Sequence, residues 1–323
     1  MKAIVRHRYG PPEALRLEEV EKPVPTDDEV LIKVHAASVN PYDWHFMRGE
    51  PYMLRLMAGL AAPKSPRLGA DVAGEVEAVG KNVTQLKPGD AVFGTCPGSF
   101  AEYACAQATR LAIKPENVTF ELVASIGIAA LTALQALRDK GHVQPGHEVL
   151  INGAAGGVGT FAVQIAKYFG ADVTAVCSTR NLEMVRAIGA DRVVDYTRED
   201  FANRSERYDV LLDLIGNHAL SAFGRALKPK GIYVGAGGTT DKWMIGPLIS
   251  MMTTPLRSAF GNRKFVSVLA RINTKDLELI GELIANARLT PVIDRRYPLN
   301  EVPAAIRYLE EGHARGKVVI AVT

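Results

Sequence analysis

A glycine-rich segment is the part of the sequence whose residue types and spacing most clearly indicate chemistry. Residues 152–159 read Asn-Gly-Ala-Ala-Gly-Gly-Val-Gly and lie between a short apolar run and an amphipathic stretch. A glycine turn between a strand and a helix lets the backbone approach a pyrophosphate, and the helix start supplies N–H groups. Against the pattern Gly-x-Gly-x-x-Gly, Ala154 stands at the first position, while Gly156 and Gly159 fill the others. This placement favours dinucleotide binding over the alternative of a tight structural turn.

The residues that follow the next predicted strand bear on the choice of dinucleotide. That strand runs into Cys-Ser-Thr-Arg at 177–180, without the acidic residue that would hold the ribose 2′-hydroxyl of NAD. The hydroxyls and the Arg180 guanidinium can hydrogen-bond a 2′-phosphate. NADPH is therefore the expected cofactor. The alternative is that Ser178 or Thr179 only caps the next helix and Arg180 is a surface charge.

Other reaction classes lack support in the sequence. The seven histidines include no i, i+4 pair of the zinc-binding type, and there is neither a Gly-x-Ser-x-Gly elbow nor a Gly-x-x-x-x-Gly-Lys phosphate loop. Cys96, Cys105 and Cys177 show no Cys-x-x-Cys spacing. We therefore expect no metal site, no hydrolase triad and no nucleoside triphosphatase site.

Composition limits the partners. The chain has 323 residues, 47% hydrophobic, and a formal net charge of +3, which is too small to indicate nucleic acid or an anionic membrane. The longest apolar segment, at 124–136, falls short of the ~20 residues that cross a bilayer. The amino terminus lacks the apolar core of ~7–15 residues of a signal peptide. A small-molecule substrate, no nucleic acid, no membrane and a reducing, cytoplasmic location are expected.

The rest of the sequence predicts the elements that would position these residues. Short β-rich runs dominate up to about residue 113, and their alternation indicates antiparallel strands in a barrel or sandwich. From residue 122, strands alternate with helices, as in a parallel sheet covered on both faces. Segment 237–262 is either a long loop or an irregular edge. The predicted strands are 2–5, 29–34, 73–80, 91–94, 148–152, 173–177, 192–195, 210–215, 232–235 and 316–322; the predicted helices are 124–140, 158–169, 181–188, 218–227 and 264–287.

Several motifs together resemble a known superfamily over essentially the whole chain. The sequence reads Lys-Pro-Val-Pro from residue 22, Ala-Ser-Val-Asn-Pro-Tyr-Asp from 37, Leu-Gly-Ala-Asp-Val-Ala-Gly from 68, Leu-Lys-Pro-Gly-Asp-Ala-Val-Phe-Gly from 86 and Gly-Lys-Val-Val-Ile from 316. It resembles the medium-chain dehydrogenase/reductase superfamily, and within it the zinc-independent quinone oxidoreductase branch. Where zinc alcohol dehydrogenases carry a cysteine ligand this chain has Asn40, and where they carry His-Glu it has Ala70-Asp71.

The resemblance implies an α/β protein of two domains with an active cleft between them. A GroES-like β-rich catalytic domain would span residues 1–121, with 265–323 returning to it. A Rossmann doubly wound parallel-sheet domain that binds NADPH would span residues 122–264. The same resemblance suggests a homodimer formed through the nucleotide domains.

The resemblance also implies roles for individual residues. Asn40, Tyr42 and Asp43 would lie beside the nicotinamide as catalytic residues. Trp44 and Tyr52 are candidate substrate-binding residues, although relatives vary after the Asn-Pro pair. The candidate cofactor-binding residues are Ala155, Gly156, Gly157, Val158, Ser178, Arg180, Tyr196, Gly235, Gly237, Phe265 and Val266.

The expected reaction is hydride transfer from NADPH to a quinone or an α,β-unsaturated carbonyl without zinc. Asn40 or Tyr42 could stabilise the oxyanion or enolate, which Tyr42 or solvent would then protonate. The alternative for Tyr42 is an aromatic wall for a flat substrate. The alternative for the whole protein is an NADPH-binding protein with a sensing, scaffolding or structural role and only incidental reductase activity.

Overall fold

The computed structural model describes residues 1–236 and 262–322, which form two compact units. The first unit contains Met1–Leu131, Arg271–Ala287 and the chain from Pro291 onward, and the second contains the described residues from Thr132 to Ala270 together with Arg288–Thr290. Gly237 and almost all of segment 237–262 lie outside the described residues.

The strands and helices follow one another along the chain with short connections. The strands are β1 (Lys2–Arg6), β2 (Leu15–Glu19), β3 (Glu29–Val39), β4 (Asp71–Val79), β5 (Ala91–Thr95), β6 (Tyr103–Gln107), β7 (Leu111–Ile113), β8 (Glu148–Asn152), β9 (Asp172–Cys177), β10 (Arg192–Asp195), β11 (Tyr208–Asp213), β12 (Leu227–Gly235), β13 (Lys264–Ser267), β14 (Ile293–Pro298) and β15 (Lys317–Ala321). The α-helices are α1 (Pro41–Arg48), α2 (Leu54–Ala58), α3 (Phe120–Ala124), α4 (Gly127–Gln135), α5 (Gly157–Tyr168), α6 (Leu182–Ala187), α7 (Leu220–Ala226), α8 (Thr274–Ala285) and α9 (Val302–Glu310).

The first unit is built around a mostly antiparallel sheet in the order β14-β15-β3-β4-β5-β7, with β6 paired to β3. β3 pairs with β4, β6 and β15, so this one long strand joins most of the sheet. Its pairing with β15 brings residues 317–321 back to the amino-terminal part of the chain. A core cluster that includes Ile4, Met47, Val302, Ile306 and Val318 fixes α1 and α9 against the sheet.

The second unit has a six-stranded, wholly parallel sheet in the order β10-β9-β8-β11-β12-β13. This is the doubly wound order, in which the strand sequence reverses beside the first strand, here β8. The predicted α/β class with a β-rich portion and a doubly wound parallel sheet is confirmed. The carboxyl ends of β8 and β11 therefore lie side by side, where such sheets bind ligands.

The predicted helix over 264–287 is wrong in its first part. Residues Lys264–Ser267 form β13, which pairs in parallel with β12, and helix α8 begins only at Thr274. Pairing on the open edge of β12 outweighs the weak helical periodicity, and the Asn273 side chain then accepts a hydrogen bond from the Asp276 backbone N–H at 2.9 Å. β13 consequently belongs to the second unit, and the return to the first unit begins at Arg271 instead of residue 265.

The predicted helix over 124–140 is interrupted. α3 ends at Ala124, α4 begins at Gly127, and Ala136–Lys140 form a π-helical turn. The first half of this segment clusters with the first unit, so the boundary between units lies at 131/132 and not at 121/122. Across residues 1–236 and 262–322, no helix is both long and apolar enough to cross a bilayer.

Candidate active site

A buried polar cluster lies where three strands of the first unit meet. Ser38 and Asn40 lie at the end of β3, Asp71 begins β4 and Lys317 begins β15, and all four are at most 2% exposed. Lys317 Nζ donates to Asn40 Oδ1 at 2.7 Å and lies 3.3 Å from Asp71 Oδ2. Asp71 Oδ2 also accepts from Ser38 Oγ at 2.7 Å and from Asn40 Nδ2 at 2.8 Å. The ammonium and the carboxylate are thus paired and hydrogen-bonded, as buried charges require.

The other oxygen of Asp71 fixes the start of α4. Asp71 Oδ1 accepts from the backbone N–H of Ile128 at 2.8 Å. A Cβ atom at Gly127 would lie 2.0 Å from that oxygen, so only glycine permits this approach. The carboxylate at a helix amino terminus is stabilised by the N–H groups there. Asp71 therefore ties β4 to α4 as well as to β15.

Asn40 and Asp43, two of the predicted catalytic residues, are both buried in this region. The Asn40 amide donates to Asp71 and to the Ser38 carbonyl and accepts from Lys317, so its hydrogen-bonding groups are used inside the protein. Asp43 Oδ2 accepts from the Asn40 backbone N–H at 2.7 Å, at the start of α1. Burial raises the pKa of Asp43 to about 8. Both side chains hold the β3–α1 connection through these hydrogen bonds and are at most 2% exposed, and their catalytic role remains a prediction.

The donor set at this cluster does not fit a zinc ion. Where the resemblance places the cysteine ligand and the His-Glu pair of zinc alcohol dehydrogenases, this chain has Asn40 and Ala70-Asp71, and the Lys317 ammonium is bound to Asn40 and Asp71. Zinc takes thiolate, imidazole or carboxylate ligands in a tetrahedral set, and a fixed ammonium would repel it. Among the described residues, no group of three or more His, Cys, Asp and Glu could hold a metal ion. Sequence analysis missed Lys317; a lysine within the apolar run of β15 was the available signal.

The three aromatic candidates of this region differ in exposure. Tyr42 is 44% exposed, packs on Phe46 with ring centroids 4.3 Å apart, and lines a pocket of about 210 Å³. Trp44 is half-buried, stacks on His45 at 3.7 Å and packs against the core beneath α1. Tyr52 is half-buried with the Arg55 guanidinium 4.8 Å from its ring centroid. Of these three, Tyr42 alone lines that pocket.

The glycine turn of the second unit joins β8 to α5, as predicted from the sequence. Gly153 has φ of +88°, and a Cβ atom at Gly159 would lie 2.1 Å from the Gly153 carbonyl oxygen. Gly156 precedes the helix, where a Cβ atom would meet nothing closer than 3.6 Å. The helix starts at Gly157 and Val158, whose turn presents backbone N–H groups without an intrahelical acceptor. The turn fits a pyrophosphate, with Ala155 buried behind it.

The buried Asp213, which was not predicted from the sequence, is hydrogen-bonded to the end of β8, where the glycine turn begins. Asp213 ends β11 and accepts from Asn152 Nδ2 at 2.9 Å and from Tyr233 Oη at 2.8 Å. The same carboxylate accepts from the backbone N–H groups of Ile215 and Gly216 at 3.1 Å each. Burial and the nearby Asp213 carboxylate raise the pKa of Tyr233. These bonds join the ends of β8, β11 and β12.

Two hydroxyl groups follow β9, those of Ser178 and Thr179, and they differ in their hydrogen bonds. Thr179 Oγ1 donates to Asp195 Oδ2 at 2.5 Å, and Asp195 also accepts from Thr197. The sequence around residue 178 contains no carboxylate, but the adjacent strand β10 brings Asp195 beside Thr179. Ser178 Oγ accepts from Asn181 Nδ2 at 3.1 Å, so its hydroxyl hydrogen can be donated elsewhere. Arg180 and Tyr196 are both exposed at this edge.

The remaining described cofactor candidates lie on β12 and β13, the last two strands at one edge of the parallel sheet. Gly235 ends β12, and Val266 and Phe265 lie on β13 beside it. The Phe265 side chain packs on Tyr233 with ring centroids 5.5 Å apart, so it belongs to the core. Val266 is half-buried. Gly237 lies outside the described residues.

Comparison with known proteins assigns the chain to a family. A model described as an alcohol dehydrogenase GroES-like domain matches residues 26–116, and one described as a zinc-binding dehydrogenase matches residues 188–320. The chain is 33% identical to a chloroplastic quinone-oxidoreductase homolog of Spinacia oleracea, covering 99% of this chain and 98% of that one. The chain belongs to the quinone oxidoreductase branch of the medium-chain dehydrogenase/reductase superfamily. The resemblance seen in its motifs is thereby confirmed.

Two further comparisons describe this quinone oxidoreductase branch. The chain is 34% identical to a chloroplastic NADPH-dependent alkenal/one oxidoreductase of Arabidopsis thaliana, covering 99% of this chain and 79% of that one. Among solved structures, the quinone oxidoreductase from Coxiella burnetii matches with a TM-score of 0.88 and 34% identity, covering 100% of this chain and 99% of that one. The family model for residues 26–116 identifies a GroES-like domain within the first unit, and the strand order of the second unit is that of a Rossmann fold.

Proposed function

We propose that the protein is an NADPH-dependent reductase that transfers hydride to a quinone or an α,β-unsaturated carbonyl without zinc. The glycine turn between β8 and α5, at the point where the parallel sheet reverses its strand order, carries this proposal. Relatives named as quinone and alkenal/one oxidoreductases support the two acceptor classes.

The chain offers residues that fit each part of the cofactor. The backbone of Gly156, Gly157 and Val158 would hold the pyrophosphate, since Gly156 and Gly157 at the start of α5 carry no side chain. Ser178 and Arg180 would bind the 2′-phosphate, with Tyr196 on the adenine side. When bound, NADPH supplies the hydride and carries the difficult part of the chemistry.

The absence of zinc from the proposed mechanism rests on the Lys317 ammonium. This cation is hydrogen-bonded to Asn40 and paired with Asp71. The resemblance equates Asn40 with a cysteine ligand and Ala70-Asp71 with a His-Glu pair of the zinc enzymes, so the histidine position carries an alanine without a ligand atom. A substrate that a metal need not polarise suits such a site. Quinones and enones accept hydride conjugatively, whereas a simple carbonyl needs a stronger electrophilic partner.

Tyr42 is the residue we propose to touch the acceptor. Hydride adds to the β-carbon of an enone, and the electron pair of the carbon–carbon double bond moves towards the carbonyl oxygen. The Tyr42 hydroxyl would donate a hydrogen bond to that oxygen, and Tyr42 or solvent then delivers the proton to the α-carbon. With a quinone, hydride and proton together give the hydroquinone. Burial raises the pKa of Tyr42, which keeps its proton in place at neutral pH.

We further propose a homodimer in a reducing, cytoplasmic compartment. The three cysteines are free thiols, which supports the reducing compartment. Light scattering coupled to size-exclusion chromatography would give the mass of the assembly, and a monomer at micromolar concentration would contradict the dimer.

The deciding experiment is NADPH oxidation followed at 340 nm with and without 1,2-naphthoquinone and with and without 3-penten-2-one. We expect oxidation that depends on an acceptor, unchanged after dialysis against a chelator. Product analysis distinguishes a reduced C=C from a reduced C=O. Tight NADPH binding without turnover of either acceptor would instead favour a sensing or structural role, and loss of activity on chelation would contradict the zinc-free mechanism.

A further inference from the structure

A pocket of about 210 Å³ lies wholly within the first unit, beside the residue proposed to contact the acceptor. Tyr42 and Phe46 of α1 form one wall, and Leu68 and Met57 add apolar surface. The charged residues of the lining are Arg6, Lys64 and Arg67, all of them basic. The lining contains no aspartate or glutamate.

Arg6 is the unusual member of this set. It ends β1, is 3% exposed, and donates through Nη1 to the Phe46 carbonyl oxygen. Its Nε atom has no hydrogen-bond partner within the described residues. A buried guanidinium normally has a carboxylate beside it, because burying an uncompensated charge costs several kcal/mol. Burial correspondingly lowers the pKa of Arg6.

The carboxyl group that interacts with Arg6 is that of Asp43, which does not line the pocket. Asp43 Oδ2 accepts from the backbone N–H of Asn40, and burial raises the pKa of this carboxyl group, which disfavours its charged form. Lys64 is exposed and Arg67 half-buried, and neither forms an ion pair within residues 1–236 and 262–322. The pocket therefore holds three positive charges with no opposite charge in its wall.

We propose that this pocket binds an anionic group, a carboxylate or a phosphate monoester, carried by the acceptor whose reduction is proposed above. Arginine and lysine are the donors that bind such groups by charge-assisted hydrogen bonds. The apolar wall beside them would receive the carbon chain or ring to which the anion is attached. The Tyr42 wall places the anion next to the hydroxyl proposed to act on the acceptor. This inference rests on the proposed function for the identity of the bound molecule, and on the pocket alone for its charge.

The test compares two acceptors, (E)-4-oxopent-2-enoate and its methyl ester, which has a neutral group in place of the carboxylate. Hydride and a proton add across the C=C bond of each, giving the saturated oxo acid or ester and NADP⁺. We expect the KM of the carboxylate to be at least about tenfold lower than that of the ester, because only the carboxylate can accept charge-assisted hydrogen bonds from the cations of the pocket. The advantage of the carboxylate should shrink as ionic strength rises.

Substitution of Lys64 and Arg67 tests whether the lower KM of the carboxylate arises in this pocket. Lys64→Gln with Arg67→Gln should raise the KM of the carboxylate about tenfold or more and leave that of the ester within about twofold. The matched control is Lys87→Gln with Arg288→Gln, which removes the same two charges from exposed positions outside the pocket. The control should change neither KM. Equal effects of the two double variants, or equal KM values for the two acceptors in the unaltered protein, would overturn the proposal.

Calorimetry on the protein without cofactor keeps this test separate from the reductase activity. Binding of (E)-4-oxopent-2-enoate that is lost in the pocket variant and kept in the control supports the anion site, even if no acceptor is reduced. Inorganic phosphate is the second titrant, and its binding in the same pattern adds phosphate monoesters to the ligand class. No binding of either anion would overturn the proposal, whereas reduction of the ester with no preference for charge would leave the proposed function intact.

Discussion

Three neighbouring residues that were predicted to be catalytic, Asn40, Tyr42 and Asp43, differ in their exposure to solvent. Asn40 and Asp43 are at most 2% exposed and spend their hydrogen bonds inside the protein, while Tyr42 is 44% exposed. A residue that acts on a substrate must reach it. Of these three, Tyr42 is therefore the one that we propose to contact the acceptor.

Replacing Tyr42 with Phe tests that task. If the hydroxyl donates a hydrogen bond or proton in the rate-limiting step, kcat should fall at least about tenfold, which is about 1.4 kcal/mol. The Phe ring keeps the packing on Phe46, so the melting temperature should stay within a few degrees. Steady-state kinetics with an enone measures the effect, and an unchanged kcat would leave Tyr42 as an aromatic wall only.

Arg180 has a separate test, which concerns the cofactor. Arg180→Ala should raise the KM for NADPH about tenfold or more, because a charge-assisted bond to phosphate is worth about 1.5–3 kcal/mol. The KM for NADH should hardly change, since NADH lacks the 2′-phosphate. Equal changes for both cofactors would mean that Arg180 does not contact that group.

The buried Asp43 carboxyl predicts a dependence of stability on pH. Its folded pKa is raised from 3.8 to about 8, so between these values the folded state binds more protons than the unfolded state. This group therefore stabilises the fold at low pH, and its contribution is lost as pH rises through about 8, by up to about 1.4 kcal/mol per pH unit. Asp43→Asn should flatten the curve of unfolding free energy between pH 5 and 8. Parallel curves for variant and parent in urea titrations would contradict the raised pKa.

At the scale of elements, the sequence predicts best where local pattern and pairing agree. The alternation from β8 to β12 is correct in kind because short apolar runs and amphipathic stretches coincide with the buried strands and covering helices, although β12 begins at Leu227 instead of residue 232. The prediction is wrong at β13, where a helix was expected. Phe265 and Val266 instead pair with β12, and this pairing partner lies more than 25 residues earlier in the chain, too far for a local hydrophobic pattern to reveal it. Lys317 and Asp213 were missed for the same reason, since their partners are up to 277 residues away.

The β8–α5 turn gives the prediction that belongs to this scale. Gly159→Ala places a Cβ atom 2.1 Å from the Gly153 carbonyl oxygen, so the helix must shift, at a cost of about 1–3 kcal/mol in unfolding free energy. Gly156→Ala has room for its Cβ in the protein and should cost no more than about 1 kcal/mol. It should nevertheless weaken NADPH binding, because the methyl group stands where a pyrophosphate would approach. Urea titration and calorimetry measure the two effects, and full NADPH affinity in Gly156→Ala would contradict the assigned binding site.

At the scale of the whole molecule, the carboxy-terminal strand is held to the amino-terminal part of the first unit by buried charge as well as by sheet pairing. β15 pairs with β3, and Lys317 at its start reaches both Asn40 and Asp71. Apolar packing alone leaves the register of a strand loosely specified, whereas a buried ion pair with several hydrogen bonds fits only one register. We infer that the cluster of Ser38, Asn40, Asp71 and Lys317 fixes the register in which β15 pairs with β3.

A double-mutant cycle on this ion pair measures how strongly the two ends of the first unit are coupled. Lys317→Met leaves Asp71 as a buried carboxylate without its counter-charge and should lower the unfolding free energy by about 3–5 kcal/mol. Asp71→Asn leaves the ammonium similarly uncompensated. Because the double variant contains neither buried charge, its loss should be smaller than the sum of the two single losses by at least about 1 kcal/mol. Lys87→Met, on the exposed surface, is the control and should change stability by less than about 0.5 kcal/mol. Additive single losses in urea titrations would mean that the pair, although 3.3 Å apart, does not couple the tail to the sheet.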